Sequence, residues 1–167
     1  MLQRTEFEAL DAVDELAHCR AAFQLPDEGI YLDGNSLGVP PKSALTVLEK
    51  VVREQWSKDL ITSWSKHAWM ELPQRIGAKI SRLIGADEDE VIVADSTSVN
   101  IFKLAAAALR MRSGRRVILS EAGNFPTDLY VLEGLIDFLG GDLELRTVAA
   151  GELEAAIDKD VALVLLT

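Results

Sequence analysis

Two short segments hold the side chains best suited to binding a small anionic ligand. The first is Ala94-Asp95-Ser96-Thr97-Ser98-Val99-Asn100, set between an apolar run and a helical pattern. A helix N-terminus presents unpaired backbone N–H groups and a partial positive charge, which suit a phosphate group. Thr97 and Ser98 add hydroxyl donors there. Serine and threonine are also the favoured helix caps, and capping is the commoner use of such residues. Neither GxGxxG nor GK[ST] occurs, so the nucleotide fingerprints have no support. The second segment is Gly123-Asn124-Phe125-Pro126-Thr127-Asp128, again between an apolar run and a helical pattern. The Phe125 ring could stack on a flat ligand, and Thr127 and Asp128 could hydrogen-bond to it. The alternative is structural, with Thr127 or Asp128 capping the next helix and Phe125 stapling onto it.

Two further stretches are less specific. Asp33-Gly34-Asn35-Ser36-Leu37-Gly38 is a turn sequence whose glycines would let another group approach the backbone. An ordinary loop would look the same. Trp56, Trp64 and Trp69 crowd one region together with His67. Trp56 falls on the apolar face of a helical pattern and is expected in the core, while Trp64 and Trp69 lie where periodicity fails. Packing is the commoner fate of tryptophan, and His67 is expected to be a surface or hydrogen-bonded residue. No nucleophile–base pair stands out. One cysteine, Cys19, and two histidines, His18 and His67, give neither an internal disulfide nor metal-ligand spacing.

The elements that must carry these residues follow from periodicity. Residues 5–23 predict an amphipathic helix through Phe7, Leu10, Val13, Leu16 and Ala17, ended by Pro26 and Gly29. Ile30-Tyr31-Leu32 is a short strand candidate. Pro40 and Pro41 suit the start of a helix whose apolar face is Leu45, Leu48, Val52 and Trp56. Pro73 opens another, with Ile76, Ile80, Leu83 and Ile84 inward and Gly85 as its stop. Strands are then predicted over 90–94, 116–120, 143–148 and 161–166, and helices over 99–110, 129–139 and, briefly, 151–157. Continuous apolar strands alternating with helices predict an α/β fold, a mainly parallel sheet covered on both faces. Residues 1–60 are expected as a helical N-terminal segment, and residues 61–167 as the first part of a large α/β domain. The sequence ends just after an apolar strand with nothing to cover it, which predicts a piece of a longer chain.

Composition narrows the classes. The 167 residues are 49% hydrophobic with a formal net charge of -10. That is ample for a core, and the acidity argues against nucleic-acid binding and adhesion to anionic membranes. The acidic, amphipathic N-terminus is unlike a signal or transit peptide, and no apolar run reaches membrane-spanning length. The expected location is cytoplasmic.

Taken in order, three segments resemble the kynureninase family. YLDGNSLGVPPK (31–42) is similar to its N-terminal signature, DSTSVNIFKL (95–104) to its phosphate-binding strand–loop–helix, and Phe125-Pro126-Thr127-Asp128 to its cofactor-contacting loop. The resemblance runs from about residue 30 to residue 167. It implies an aspartate-aminotransferase-like fold, the cofactor pyridoxal 5'-phosphate (PLP), and a homodimer. It also implies hydrolysis of L-kynurenine, or its 3-hydroxy form, to the corresponding anthranilate and L-alanine in tryptophan catabolism. By the same resemblance Thr97 and Ser98 would contact the PLP phosphate. Phe125 would stack on the pyridine ring, with Pro126, Thr127 and Asp128 completing that wall. Ser36 and Trp64 would lie near the substrate.

The family's cofactor-holding lysine, the acid facing its ring nitrogen and the arginine for the substrate carboxylate should all lie beyond Thr167. None of Lys42, Lys50, Lys58, Lys66, Lys79, Lys103 or Lys159 sits in a matching context. No catalytic residue is therefore expected within the chain, which should be inactive alone. A cysteine desulfurase or class V aminotransferase would be a neighbouring PLP enzyme, but the NSLG and FPTD segments favour kynureninase. A non-catalytic half-fold used for binding or assembly is the alternative from a different class.

Overall fold

A computed structural model describes residues 3–167, which divide after Arg75 into two compact units. In the first unit, helix α1 spans Arg4–Ala12, and Glu6 ties back its start by accepting from the Gln3 backbone N–H at 2.5 Å. The single helix expected over 5–23 is broken. The Asp14 carboxylate accepts from the Leu16 N–H at 2.9 Å, a local turn that competes with helix, and a 3-10 helical turn follows at Ala17–Ala22. Residues 30–32 belong to no strand, so the one expected there is absent. The Tyr31 hydroxyl instead lies 2.8 Å from the Asp33 carbonyl and 2.6 Å from the Leu37 carbonyl, its one proton shared between them, closing the 33–38 turn.

Helix α2, Lys42–Lys50, starts directly after Pro41, as the prolines predict, and runs on through a π-helical stretch, Val51–Trp56, into the short α3, Ser57–Asp59. Its apolar face is not buried: Trp56 is 61% exposed, against the expected core position. Periodicity reports that a face is apolar and not what covers it. The short helix α4 follows at Ser63–Lys66.

The α5 helix, Leu72–Ile84, begins the second unit's framework and ends before Gly85 as expected. Its inward face is Gly77 and Ser81; Leu83 and Ile84 point outward, Leu83 being 85% exposed, which corrects their assignment. After α6 (Thr97–Met111) come β1 (Val117–Glu121), α7 (Pro126–Phe138), β2 (Glu144–Val148) and β3 (Val161–Leu165). The three strands are parallel in the order β2-β1-β3, with β1, the most buried of them, in the centre. The short helix expected at 151–157 is two 3-10 turns.

One face of β1, through Ile118, packs against Ala105 and Leu109 of α6 and Leu132, Leu135 and Ile136 of α7. The other face, Val117 and Leu119, meets Val161 with Leu153 and Ala156 from the β2–β3 connection. Both faces are thus covered, as continuous apolar strands require. Helix α7 terminates where Gly140 and Gly141 take φ of +102° and +77°, and the Gly141 N–H returns to the Ile136 carbonyl at 2.9 Å. The expected strand over 90–94 does not form. Residues 91–94 pair with no strand among the described residues, and Ile92 and Val93 are exposed. Apolar composition permits a strand, but only a neighbouring edge makes one.

Candidate functional site

The segment leading into α6 is shaped by its own side chains. The Asn100 amide donates to the Ala94 carbonyl at 2.8 Å, while the Asn100 N–H bonds the Ser96 carbonyl at 2.9 Å. Asp95 between them has φ of +48°, a left-handed conformation that aspartate tolerates better than most residues. Its carboxylate is held by the Lys103 ammonium, two turns along the helix.

Ser96 is the N-cap. Its Oγ accepts from the Val99 N–H at 3.4 Å, so the capping role falls on Ser96 and not on its neighbours. Thr97 and Ser98 occupy the first turn, where backbone N–H groups have no intrahelical partner. Among the described residues neither hydroxyl makes a hydrogen bond, although other short polar side chains here do. Thr97 is exposed; Ser98 is half-buried and lines a shallow groove with Phe102 of α6 and Val131, Gly134 and Phe138 of α7.

The second segment leaves the carboxyl end of β1. Phe125 is the N-cap residue of α7 and Pro126 its first helical residue, a position where a missing N–H costs nothing. The helix therefore starts three residues before the sequence-based boundary. Neither Thr127 nor Asp128 is its N-cap. The Phe125 ring is 59% exposed, so it does not serve as a buried staple. Thr127 is exposed, and Asp128, only 9% exposed, turns inward within reach of the Thr167 hydroxyl at 3.3 Å.

Beneath Phe125 lies a group of polar side chains that the sequence reading left without a role. Asn124 and Ser120 are buried, and Asn124 donates to the Ser120 Oγ at 2.7 Å and to the Leu165 carbonyl at 3.4 Å. Its Oδ1 accepts from the Phe125 N–H at 2.6 Å and from the Thr167 hydroxyl. Ser120 also donates to the Leu165 carbonyl at 2.8 Å. The available signal was a serine directly after the Val-Ile-Leu run of β1, because a buried polar group must find a partner.

In the first unit, Ser36 sits in its turn and donates to the Asp33 carboxylate at 2.8 Å. Trp64, on α4, is half exposed and meets Trp69 edge-on, ring centroids 5.9 Å apart. Gln55 organises this corner by accepting from the Trp69 indole N–H at 2.8 Å and, through its carbonyl, from the buried Ser63 hydroxyl at 3.0 Å. Asp59 bonds the Lys66 ammonium at 2.6 Å and the His67 ring at 2.7 Å. These hydrogen bonds, that from Lys66 first, hold its carboxyl below the usual carboxylate range. His67 is thus a hydrogen-bonded residue, as expected. Among the described residues no cluster of potential ligands could hold a metal ion, and no helix is long and apolar enough to cross a membrane.

In the second unit the fold and site define an α/β protein whose polar groups gather at the carboxyl end of a parallel sheet and at two helix N-termini. In such sheets ligands bind at that end. No family model matches the sequence. Individual relatives do: the chain is 53% identical to a kynureninase of Deinococcus radiodurans, over 99% of its own length and 41% of that protein's. It is 48% identical to one of Pseudomonas fluorescens and 45% to one of Burkholderia mallei, in both cases over 100% of this chain and 41% of the relative. The chain belongs to the kynureninase family and corresponds to its N-terminal portion. It spans about two-fifths of the length of these relatives, 41%.

Proposed function

We propose that this chain is the N-terminal part of a PLP-dependent hydrolase that cleaves L-kynurenine, or 3-hydroxykynurenine, to the corresponding anthranilate and L-alanine. The observation that carries the reading is the 45–53% identity to kynureninases along essentially the whole chain.

The residues present fit the cofactor. The first turn of α6 offers free N–H groups and two unengaged hydroxyls, Thr97 and Ser98, which suit a phosphate. Phe125 presents an exposed ring beside Pro126 and Thr127 at the start of α7, which suits a flat heteroaromatic face. When bound, PLP supplies an electron sink for carbon–carbon cleavage. The role of this chain is positioning: Thr97 and Ser98 anchor the phosphate, Phe125 covers the ring, and Asp128 adds a carboxylate at its edge. Ser36 and Trp64 contribute to the substrate side. The lysine, ring-facing acid and arginine come from outside residues 1–167, so the chain alone is inactive. Residues 61–167 begin the large domain of an aspartate-aminotransferase-like fold, residues 1–60 precede it as a helical segment, and the working protein is a cytoplasmic homodimer.

The test is an assay of the full-length protein with PLP, following anthranilate release from L-kynurenine and sulfide release from cysteine. Anthranilate release without sulfide is expected. A folded protein that binds PLP but releases no anthranilate would overturn the substrate; one that binds no PLP would overturn the reading altogether.

A further inference from the structure

The Asn124 carboxamide has all four of its hydrogen-bonding sites in use: two N–H donors toward Ser120 Oγ and the Leu165 carbonyl, and both oxygen lone pairs toward the Phe125 N–H and the Thr167 hydroxyl. It is only 6% exposed, and Ser120 is fully buried. One side chain therefore joins the carboxyl end of central strand β1, the carboxyl end of edge strand β3 and the first peptide of the Phe125 loop. Ser120 doubles the link by donating to the same Leu165 carbonyl at 2.8 Å. The Thr167 hydroxyl, with a single proton, lies between Asn124 and the Asp128 carboxylate, so the amide also bears on where Asp128 sits.

A helix N-terminus needs nothing of this kind. Phe125 and Pro126 start α7 without a side-chain cap, and the bond from Phe125 N–H to Asn124 Oδ1 is not part of the helix. What the amide adds is a fixed direction for the peptide that carries the exposed ring, referenced to two strand ends. A ring that must meet a flat ligand gains from such support, because a small displacement of a contacting group costs much of its effect.

We propose that Asn124, backed by Ser120, is a positioning residue that sets the Phe125 ring and the Asp128 carboxylate for the bound cofactor. This rests on the PLP reading above. It differs from a purely structural role in its consequence: cofactor geometry should change along with stability.

The experiment uses the full-length protein with Asn124→Ala, Asn124→Asp and Ser120→Ala. PLP affinity is measured by titrating the cofactor-free protein, the circular dichroism of the bound cofactor is recorded, and thermal midpoints are taken alongside. Asn124→Ala should bind PLP roughly tenfold more weakly, equivalent to about one to two hydrogen bonds, and show an altered cofactor dichroism. Asn124→Asp keeps the acceptor for the Phe125 N–H and should recover part of both signals; Ser120→Ala should show a smaller change of the same kind. If Asn124→Ala does not fold, Asn124→Asp and Ser120→Ala decide the matter by the same two readouts. Lowered melting with unchanged affinity and dichroism would overturn the proposal. An unsubstituted protein that binds no PLP would instead overturn the cofactor reading beneath it.

Discussion

Gly77 of α5 lies so close to Val91 that a Cβ on the glycine would sit 1.9 Å from the Val91 carbonyl oxygen and 2.6 Å from its carbon. Both obstacles are backbone, so no side-chain rotation can relieve them. Val91 opens the segment that leads into the Asp95 turn and the first turn of α6. The absence of a side chain at position 77 thereby permits that segment to pass so close to α5.

Gly77→Ala should therefore destabilise the protein although alanine is the better helix former. The clash must be relieved by moving α5 or the 91–94 segment, and overpacking of this kind typically costs about 1–3 kcal/mol. Denaturant unfolding of the two proteins measures it. Equal stability would mean that the close approach does not hold in solution.

Ser96 and its two neighbours should separate stability from ligand binding. Ser96→Ala removes the N-cap of α6 and should cost about 1 kcal/mol, the usual value for a lost cap. Thr97→Ala and Ser98→Ala break no hydrogen bond among the described residues, so their unfolding midpoints should stay nearly unchanged while PLP affinity falls. If Thr97→Ala and Ser98→Ala instead lower the melting temperature and leave PLP binding intact, the hydroxyls are structural.

Lys103 holds the Asp95 carboxylate immediately before that first turn. Lys103→Met leaves a negative charge free where an anion would bind. PLP should then bind a few-fold more weakly, and the difference should shrink at high ionic strength, because this ion pair is largely exposed. An unchanged affinity at low salt would place the Asp95 charge too far away to matter.

Asp59 predicts an acid-dependent effect. Its carboxyl is held below the usual range by its bonds to Lys66 and His67, so the folded state favours the ionised form. A depressed folded-state pKa gives stability that is present above the unfolded value, near 3.8, and lost as pH falls through the folded value. Comparing the unfolding of the natural protein with Asp59→Asn should show an advantage for the natural protein at neutral pH that narrows below about pH 4. An advantage independent of pH from 6 down to about 2 would show that the carboxylate's charge contributes nothing.

The class of fold was legible in local patterns. Strands β1, β2 and β3 and helices α6 and α7 lie where apolar periodicity puts them, and Gly85 ends α5 as expected, because these features depend on residues a few positions apart. Family membership was legible too, from three ordered motifs. Local pattern failed where a partner decides the outcome. Residues 30–32 and 91–94 are apolar enough for strands yet pair with none, and the apolar face around Trp56 is exposed.

The division of labour within each motif belonged to tertiary structure. The sequence offered Thr97 and Ser98 as donors and left open which hydroxyl caps the helix; in the fold Ser96 is the cap, and the other two make no hydrogen bond among the described residues. Asn124 was one residue among six in a loop; it became the junction of that loop only once β3 had folded beside β1. Its partners Leu165 and Thr167 are 41 and 43 residues away along the chain. The sequence alone determined which residue types stand at each strand and helix end, because composition and periodicity act over a single turn or pleat. Which of them meet was decided by packing across the sheet, where chain separation carries no information about distance.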